Sequence, residues 1–234
     1  MRQQMLQALA VIIKRGWLEM TADERMTILA SVPQLLQMQG NGRLIAVPFV
    51  MAIVNEFSSR KASAIGLTWE FHFKCRESFE KRGLRELFET VLNTVQHIVH
   101  QQTHLTTDKP IFGSCISAIE CVLHWDFINA KEFAGNFKHH TVAFGESRRA
   151  DHFPKEWSRL LVSAEFLNLM FQLLQLCAKS EDLSHKMAQC LIQLAGLNGP
   201  VFISTHAKSE YASHMLNHIF ALMKRCVDRV CSSS

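Results

Sequence analysis

The chain has 234 residues, 48% of them hydrophobic, with five prolines, ten glycines and a single tyrosine. Twenty-five lysines and arginines against 21 acids leave a formal charge of +4, too thin a balance for the dense basic stripe of a nucleic-acid binder. That length suits one or two domains or one solenoid block, and such sparse turn punctuation argues against a sheet-rich fold.

Helix one is predicted over Gln3 to Arg15, with Met5, Leu6, Leu9, Ile12 and Ile13 at helical spacing. Thr21-Ala22-Asp23-Glu24 is a capping-box pattern that opens helix two, in which Pro33 should bend or break the chain. Gly40-Asn41-Gly42 reads as a turn. Helix three follows from about Arg43 to Phe57; it contains Pro48 and is apolar nearly all round, as in a helix buried on two sides.

A small-residue joint, Ser58 to Ser63, then interrupts the pattern, because serines compete for backbone hydrogen bonds. Thr68 caps helix four, Trp69 to Lys81, on which Leu67, Phe71, Cys75 and Phe79 fall four apart. The alternation of Leu67, Trp69, Phe71 and Phe73 is also a strand signal, and the fourfold spacing decides for helix. Gly83 is expected to end it. Helix five, Leu84 to about Gln102, has the cleanest period in the chain.

Thr107-Asp108-Lys109-Pro110 starts helix six, which is expected to reach Asp126. The periodicity fails from Ile128 to Lys155, a polar, basic-leaning loop. Trp157 anchors the return, and helix seven lies within Trp157 to Lys179 with a break near Ser163. Ser180 caps helix eight, Gly196 to Pro200 closes it, and helix nine runs from about Lys208 to Val230 before an unstructured tail. Helix after helix without a strict repeat in letters fits an all-α, HEAT-like helical-repeat solenoid with units of ~40–47 residues. We expect one continuous block over residues 1–234, with the loop at 128–155.

Few residues suggest chemistry. The seven cysteines are odd in number, no two are spaced C-x-x-C, and they read as free thiols of a reducing compartment. Met1-Arg2-Gln3-Gln4 leads straight into an amphipathic pattern rather than a signal peptide, and no run reaches the ~18 apolar residues of a membrane span. A soluble intracellular protein is therefore expected, without membrane or nucleic-acid partners. His97, His100 and His104, or His214 and His218, could in spacing present nitrogens to zinc, but read better as polar-face histidines. No nucleophile with a partnered base, Gly-rich phosphate loop or distinctive carboxylate pair is visible, so neither an enzyme nor a cofactor is expected. Lys14-Arg15 and Lys224-Arg225 suit helix C-terminal ends. Lys138, Arg148 and Arg149 in the long loop are the candidate contacts for an acidic protein partner.

One resemblance joins these pieces. Glu56-Phe57-Ser58-Ser59, Lys61, Ser63, Ile65-Gly66-Leu67, Glu70-Phe71-His72, Cys75 and Phe79 resemble the exportin-4 group of nuclear transport receptors. So do Trp157-Ser158-Arg159 with Leu160-Leu161, and Cys190-Leu191 through Gln193-Leu194-Ala195 to Gly199-Pro200-Val201-Phe202, in the same order. The resemblance implies a right-handed superhelix of HEAT repeats that carries a protein cargo with Ran-GTP out of the nucleus. It also implies Phe-Gly nucleoporins slotting between helices and shuttling between nucleus and cytoplasm. The group's N-terminal Ran-contacting repeats have no counterpart before Met1, so this chain by itself is expected to bind Ran poorly. A helical scaffold that binds protein without transport is the rival reading.

Overall fold

The computed structural model describes residues 1–38, 41–58, 68–101, 108–127 and 153–232. Among them the regular structure is helical, as the periodicity predicts: an all-α, helical-repeat fold. The chain divides into two compact units, Met1–Glu146 and Ser147–Ser234.

The first unit holds α1 (Arg2–Gly16), α2 (Ala22–Gln37), α3 (Asn41–Ser58), α4 (Trp69–Lys81), α5 (Gly83–His100) and α6 (Lys109–Leu123). α3 packs on both α1 and α6. Arg43 in its first turn meets Asp108 at the head of α6, and Asn55 near its end meets Cys121 near the end of α6, so these two helices run parallel. Lys14 at the end of α1 likewise meets Glu56 at the end of α3. α2 and α5 pack on each other, and each packs on α3. One layer is thus α1, α3 and α6, the other α2 and α5, and the chain alternates between them as a helical repeat does. α3 is buried along Val47, Val50, Ile53, Val54 and Phe57, as its apolar circumference foretold.

Local signals explain most boundaries. The capping box at Thr21 forms in full, with the Thr21 Oγ1 accepting from the Glu24 N–H and the Glu24 carboxylate accepting from the Thr21 N–H. Thr68 Oγ1 caps α4 through the Phe71 N–H at 3.3 Å. Other expectations fail. α2 is not broken at Pro33, because burial outweighs one lost hydrogen bond, whereas α3 holds Pro48 inside it as its sequence indicates. Asn41 and Gly42 are not a turn but the first residues of α3. Gly83 does not end α4; Arg82, at φ −147°, is the hinge, and Gly83 opens α5. A Cβ on Gly83 would sit 2.7 Å from the Phe79 ring and 3.1 Å from Leu29, so close packing rather than chain reversal requires glycine there. α6 stops at Leu123, short of Asp126.

The described part of the second unit begins with Phe153 packed edge-on against Trp157 at 5.2 Å, in keeping with Trp157 as an anchor. A short 3-10 turn, Lys155–Trp157, leads into α7 (Ser158–Leu161), then α8 (Ala164–Cys177), α9 (Glu181–Ala195), a second 3-10 turn at Gly199–Val201, and α10 (Thr205–Ser232). The predicted break lies at Val162–Ser163, where the Ser163 hydroxyl caps α8 through the Phe166 N–H at 3.1 Å. Ser180 stands at the head of α9 without a side-chain cap bond. α10 starts earlier than its periodicity suggested because Ser204 accepts from the Ala207 N–H at 3.1 Å, and it absorbs Cys231 of the expected tail. Both α9 and α10 pack on α8, and the Tyr211 hydroxyl donates to the Leu194 carbonyl at 2.9 Å. No single helix among the described residues is long and apolar enough to cross a membrane.

Two predictions follow from this packing. Phe79 is fully buried and touches Trp17, Phe57 and Trp125, so Phe79→Ala should cost about 3–5 kcal/mol in urea unfolding. Gly83→Ala alone should also destabilise, and the double variant should lose less than the sum, because removing the ring makes room for the added methyl. The second concerns alkali. Burial pushes the thiols of Cys75, Cys121 and Cys177 up to about 11 and that of Cys115 up to about 12, against an ordinary 9.0. Each raised thiol contributes stability in full below pH 9.0 and loses it as the pH climbs through its folded value. Desolvation lowers Lys14 from 10.5 and opposes this over its own window. Thermal melts from pH 8 to 11 should show a net loss on the order of 1 kcal/mol per thiol for each pH unit above 9.

Candidate functional site

The parallel run of α1, α3 and α6 brings three helix C-terminal ends to one pole of the first unit. Each end leaves carbonyls without helical partners and carries the negative pole of the helix dipole. α4 lies across all three. Its Cys75 Sγ donates to the Lys14 carbonyl at 3.6 Å, and its Arg76 guanidinium donates to the Ser58 carbonyl at 3.3 Å and to the Asp126 carbonyl. Ser78 Oγ accepts from Trp17 Nε1 at 3.2 Å and from Arg25 Nη1 at 3.0 Å, while Arg25 Nε donates to the Trp17 carbonyl at 2.7 Å.

The charges here are buried and paired. The Lys14 ammonium, 1% exposed, donates to the Glu56 backbone carbonyl and lies 3.6 Å from the Glu56 carboxylate, which Gln7 also holds at 2.9 Å. Arg76 pairs with Glu80 at 2.9 Å, and the same carboxylate oxygen accepts from Trp125 Nε1 at 2.8 Å. The Arg76 guanidinium stacks 4.9 Å above the Trp125 ring. Beneath lies an aromatic layer of Trp17, Phe57, Phe79 and Trp125, with Phe57 and Phe79 centred 4.5 Å apart. Beside it a cavity of about 310 Å³ is lined by Ser58, Arg76, Cys121, His124, Trp125 and Asp126. Burial and the nearby Lys14 charge hold His72 below its ordinary 6.5.

Two surface features complete the picture. A groove between α2 and α5 is lined by Pro33, Leu36 and Met38 on one side and by Asn93, Thr94 and His97 on the other. Apolar stripes stand exposed on α1, at Met5, Leu9 and Ile12, and on α10, at Leu216, Phe220, Met223 and Val227. The structure leaves these residues uncovered within their units.

The sequence-derived candidates fare unevenly. Lys138, Arg148 and Arg149 lie outside the described residues, as does His104. His97 and His100 are exposed on α5, His214 is exposed on α10, and His218 stacks on Phe171 at 4.5 Å. Among the described residues no group of three or more His, Cys, Asp or Glu side chains is placed to hold a metal. Arg15, Lys224 and Arg225 are exposed, but Lys14 is a buried member of the pole rather than a solvated cation. Arg76 was not singled out in sequence. Its signal was an Arg76–Glu80 pair at i, i+4 flanked by the apolar Cys75 and Phe79, which sets the pair beside the buried stripe.

The sequence model of the exportin-4 family matches residues 1–232 of the chain. The chain is also 27% identical over 247 residues to the exportin-4 of Dictyostelium discoideum, an alignment that takes in 96% of this chain and 22% of that protein. It therefore spans about a fifth of the length of the curated relative it matches. The family match includes the pole, the layers on either side of it and the whole second unit, and by it the chain belongs to the exportin-4 family.

Proposed function

We propose that this chain is part of a nuclear export receptor that binds protein cargo with Ran-GTP and carries it through the nuclear pore. The observation that supports this reading is the family match over residues 1–232, in a chain whose first unit alternates α1, α2, α3, α5 and α6 between two layers as a solenoid requires. In this reading the chain works by holding other proteins on a broad helical surface, with no bond made or broken, and shuttles between nucleus and cytoplasm. Residues 1–234 form one solenoid block, and 128–155 is its variable loop, whose Lys138, Arg148 and Arg149 meet acidic patches on a protein partner. Grooves between helices, such as the one beside Leu36 and Met38, receive the aromatic side chains of Phe-Gly nucleoporins.

The test uses a chimera in which this chain replaces the stretch it matches in the Dictyostelium exportin-4. Immobilised cargo should retain the chimera at least about tenfold better with Ran locked in its GTP form than with Ran-GDP. Replacing Lys138, Arg148 and Arg149 by Glu should weaken cargo retention and leave the circular dichroism unchanged. A folded chimera that holds cargo equally with either nucleotide state would remove the transport mechanism and leave a protein-binding scaffold.

A further inference from the structure

Leu29 of α2 stands against Gly83 at the start of α5, and Pro33, Leu36 and Met38 then face the stretch from Thr90 to Gln101. The two helices therefore run the same way, with an open groove of about 830 Å³ between their second halves. From Thr90 to Gln101 it is about 16 Å long, room for roughly five residues of extended chain. Its walls differ in chemistry. Pro33, Leu36 and Met38 make an apolar one, on which Met38 is 53% exposed and has an adaptable thioether. Opposite, the Thr90 and Thr94 hydroxyls already donate to the Glu86 and Thr90 carbonyls at 2.9 and 2.7 Å. The exposed Gln37 and Asn93 are left to hydrogen-bond a guest.

One charge dominates the groove. Arg43 lines it, 33% exposed, and its Nη2 is tied at 3.0 Å to the buried carboxylate of Asp108. That bond uses one of about five guanidinium N–H groups and fixes the fork without covering it. The pair sits at the heads of α3 and α6, whose dipoles add positive charge there and offset the Asp108 carboxylate. The described lining includes Arg43 and His97 and no carboxylate, and Glu86, one turn before Thr90, is itself paired with Arg82 at 3.1 Å.

We propose that this groove binds a short acidic segment of a protein partner in extended form. A carboxylate of the segment pairs with the exposed edge of Arg43, and an apolar side chain beside it covers Leu36 and Met38. Asp108 acts as a positioning residue that holds the fork in place. The charge-assisted pair selects carboxylate over amide, while the apolar wall supplies contact that does not discriminate. This goes beyond the transport reading: it names an acid, which a bare Phe-Gly repeat lacks, and it holds for whichever protein carries it.

Fluorescence anisotropy on the whole chain tests it, with labelled, amidated Gly-Ser-Asp-Phe-Asp-Ser-Gly and its twin with Asn for both Asp. At low salt the acidic peptide should bind at least about tenfold tighter than its twin. Arg43→Gln combined with Asp108→Asn removes the pair without stranding a charge, and should erase that preference. Asn93→Asp, on the exposed rim, should weaken the acidic peptide alone, and Met38→Ala should weaken both peptides alike. Lys224→Gln, an exposed cation on α10, should change neither. The proposal is overturned if the acidic peptide fails to bind at about 1 mM, if the twin binds equally, or if Lys224→Gln costs as much as the double variant. Should the double variant fail to fold, Asn93→Asp and Met38→Ala decide, and unchanged binding of the acidic peptide to either overturns it. A Gly-Ser-Phe-Gly-Ser-Phe-Gly peptide reports on the transport reading alone, because the preference for acid is read only from the first two peptides.

Discussion

Three parallel helices that end at one place create an electrostatic problem. Each C-terminus presents free carbonyls and about half a negative charge, and packing α1, α3 and α6 side by side sums them. The fold answers with cations and one crossing helix. Lys14 and Arg25 rise from the layers, Arg76 comes down from α4, and each is tied to a backbone carbonyl. Buried charges are costly unless paired, and here Glu56 and Glu80 complete the pairs. α4 is accordingly less a member of either layer than the piece that lets the layers end where they do.

That arrangement propagates downwards. To bring Arg76 over the carbonyls, α4 must press Phe79 into the aromatic layer, against Phe57, Trp17 and Trp125. The Phe79 ring then occupies the space where the next residue to turn the corner would carry a side chain, and Gly83 is the consequence. The polar interactions fix where α4 lies, while the apolar ones supply most of the binding of α4 to the unit, since Phe57 and Phe79 are fully buried and the hydrophobic term scales with area. Arg76, Phe79 and Gly83 act as one constraint read at three points along about two turns of chain.

The helices themselves were legible because their signals are local. A capping box at Thr21, a capping hydroxyl at Thr68 and the unbroken period of Leu84, Leu87, Phe88, Val91, Leu92 and Val95 need no knowledge of neighbours. Pro33 and Gly42 misled for the complementary reason: their local preference is against helix, and burial of the surrounding apolar face overrides it. The pole was illegible in kind. Lys14 looks like any cation at a helix end until Glu56, 42 positions away, is laid against it, and no spacing rule pairs them. The family resemblance found in Glu56-Phe57-Ser58-Ser59 and Cys75 to Phe79 did fall on this pole, because the residues that build it are close in sequence even where their partners are not.

The double-faced helices argue for stacking independently of any relative. A helix on the surface of a globule needs one apolar stripe; a helix within a layer needs two, one for each neighbour. α3 shows the rule satisfied, with α1 on one side and α6 on the other. α1 has the same two stripes, Ala10, Ile13 and Trp17 buried on one side and Met5, Leu9 and Ile12 exposed on another. α10 repeats the pattern, with Tyr211 and Met215 buried and Leu216, Phe220 and Met223 exposed. Single amphipathicity would have placed polar residues at those exposed positions. That they are apolar is a property of the sequence alone, and it is the property that a layered solenoid, rather than a closed bundle, demands of its helices.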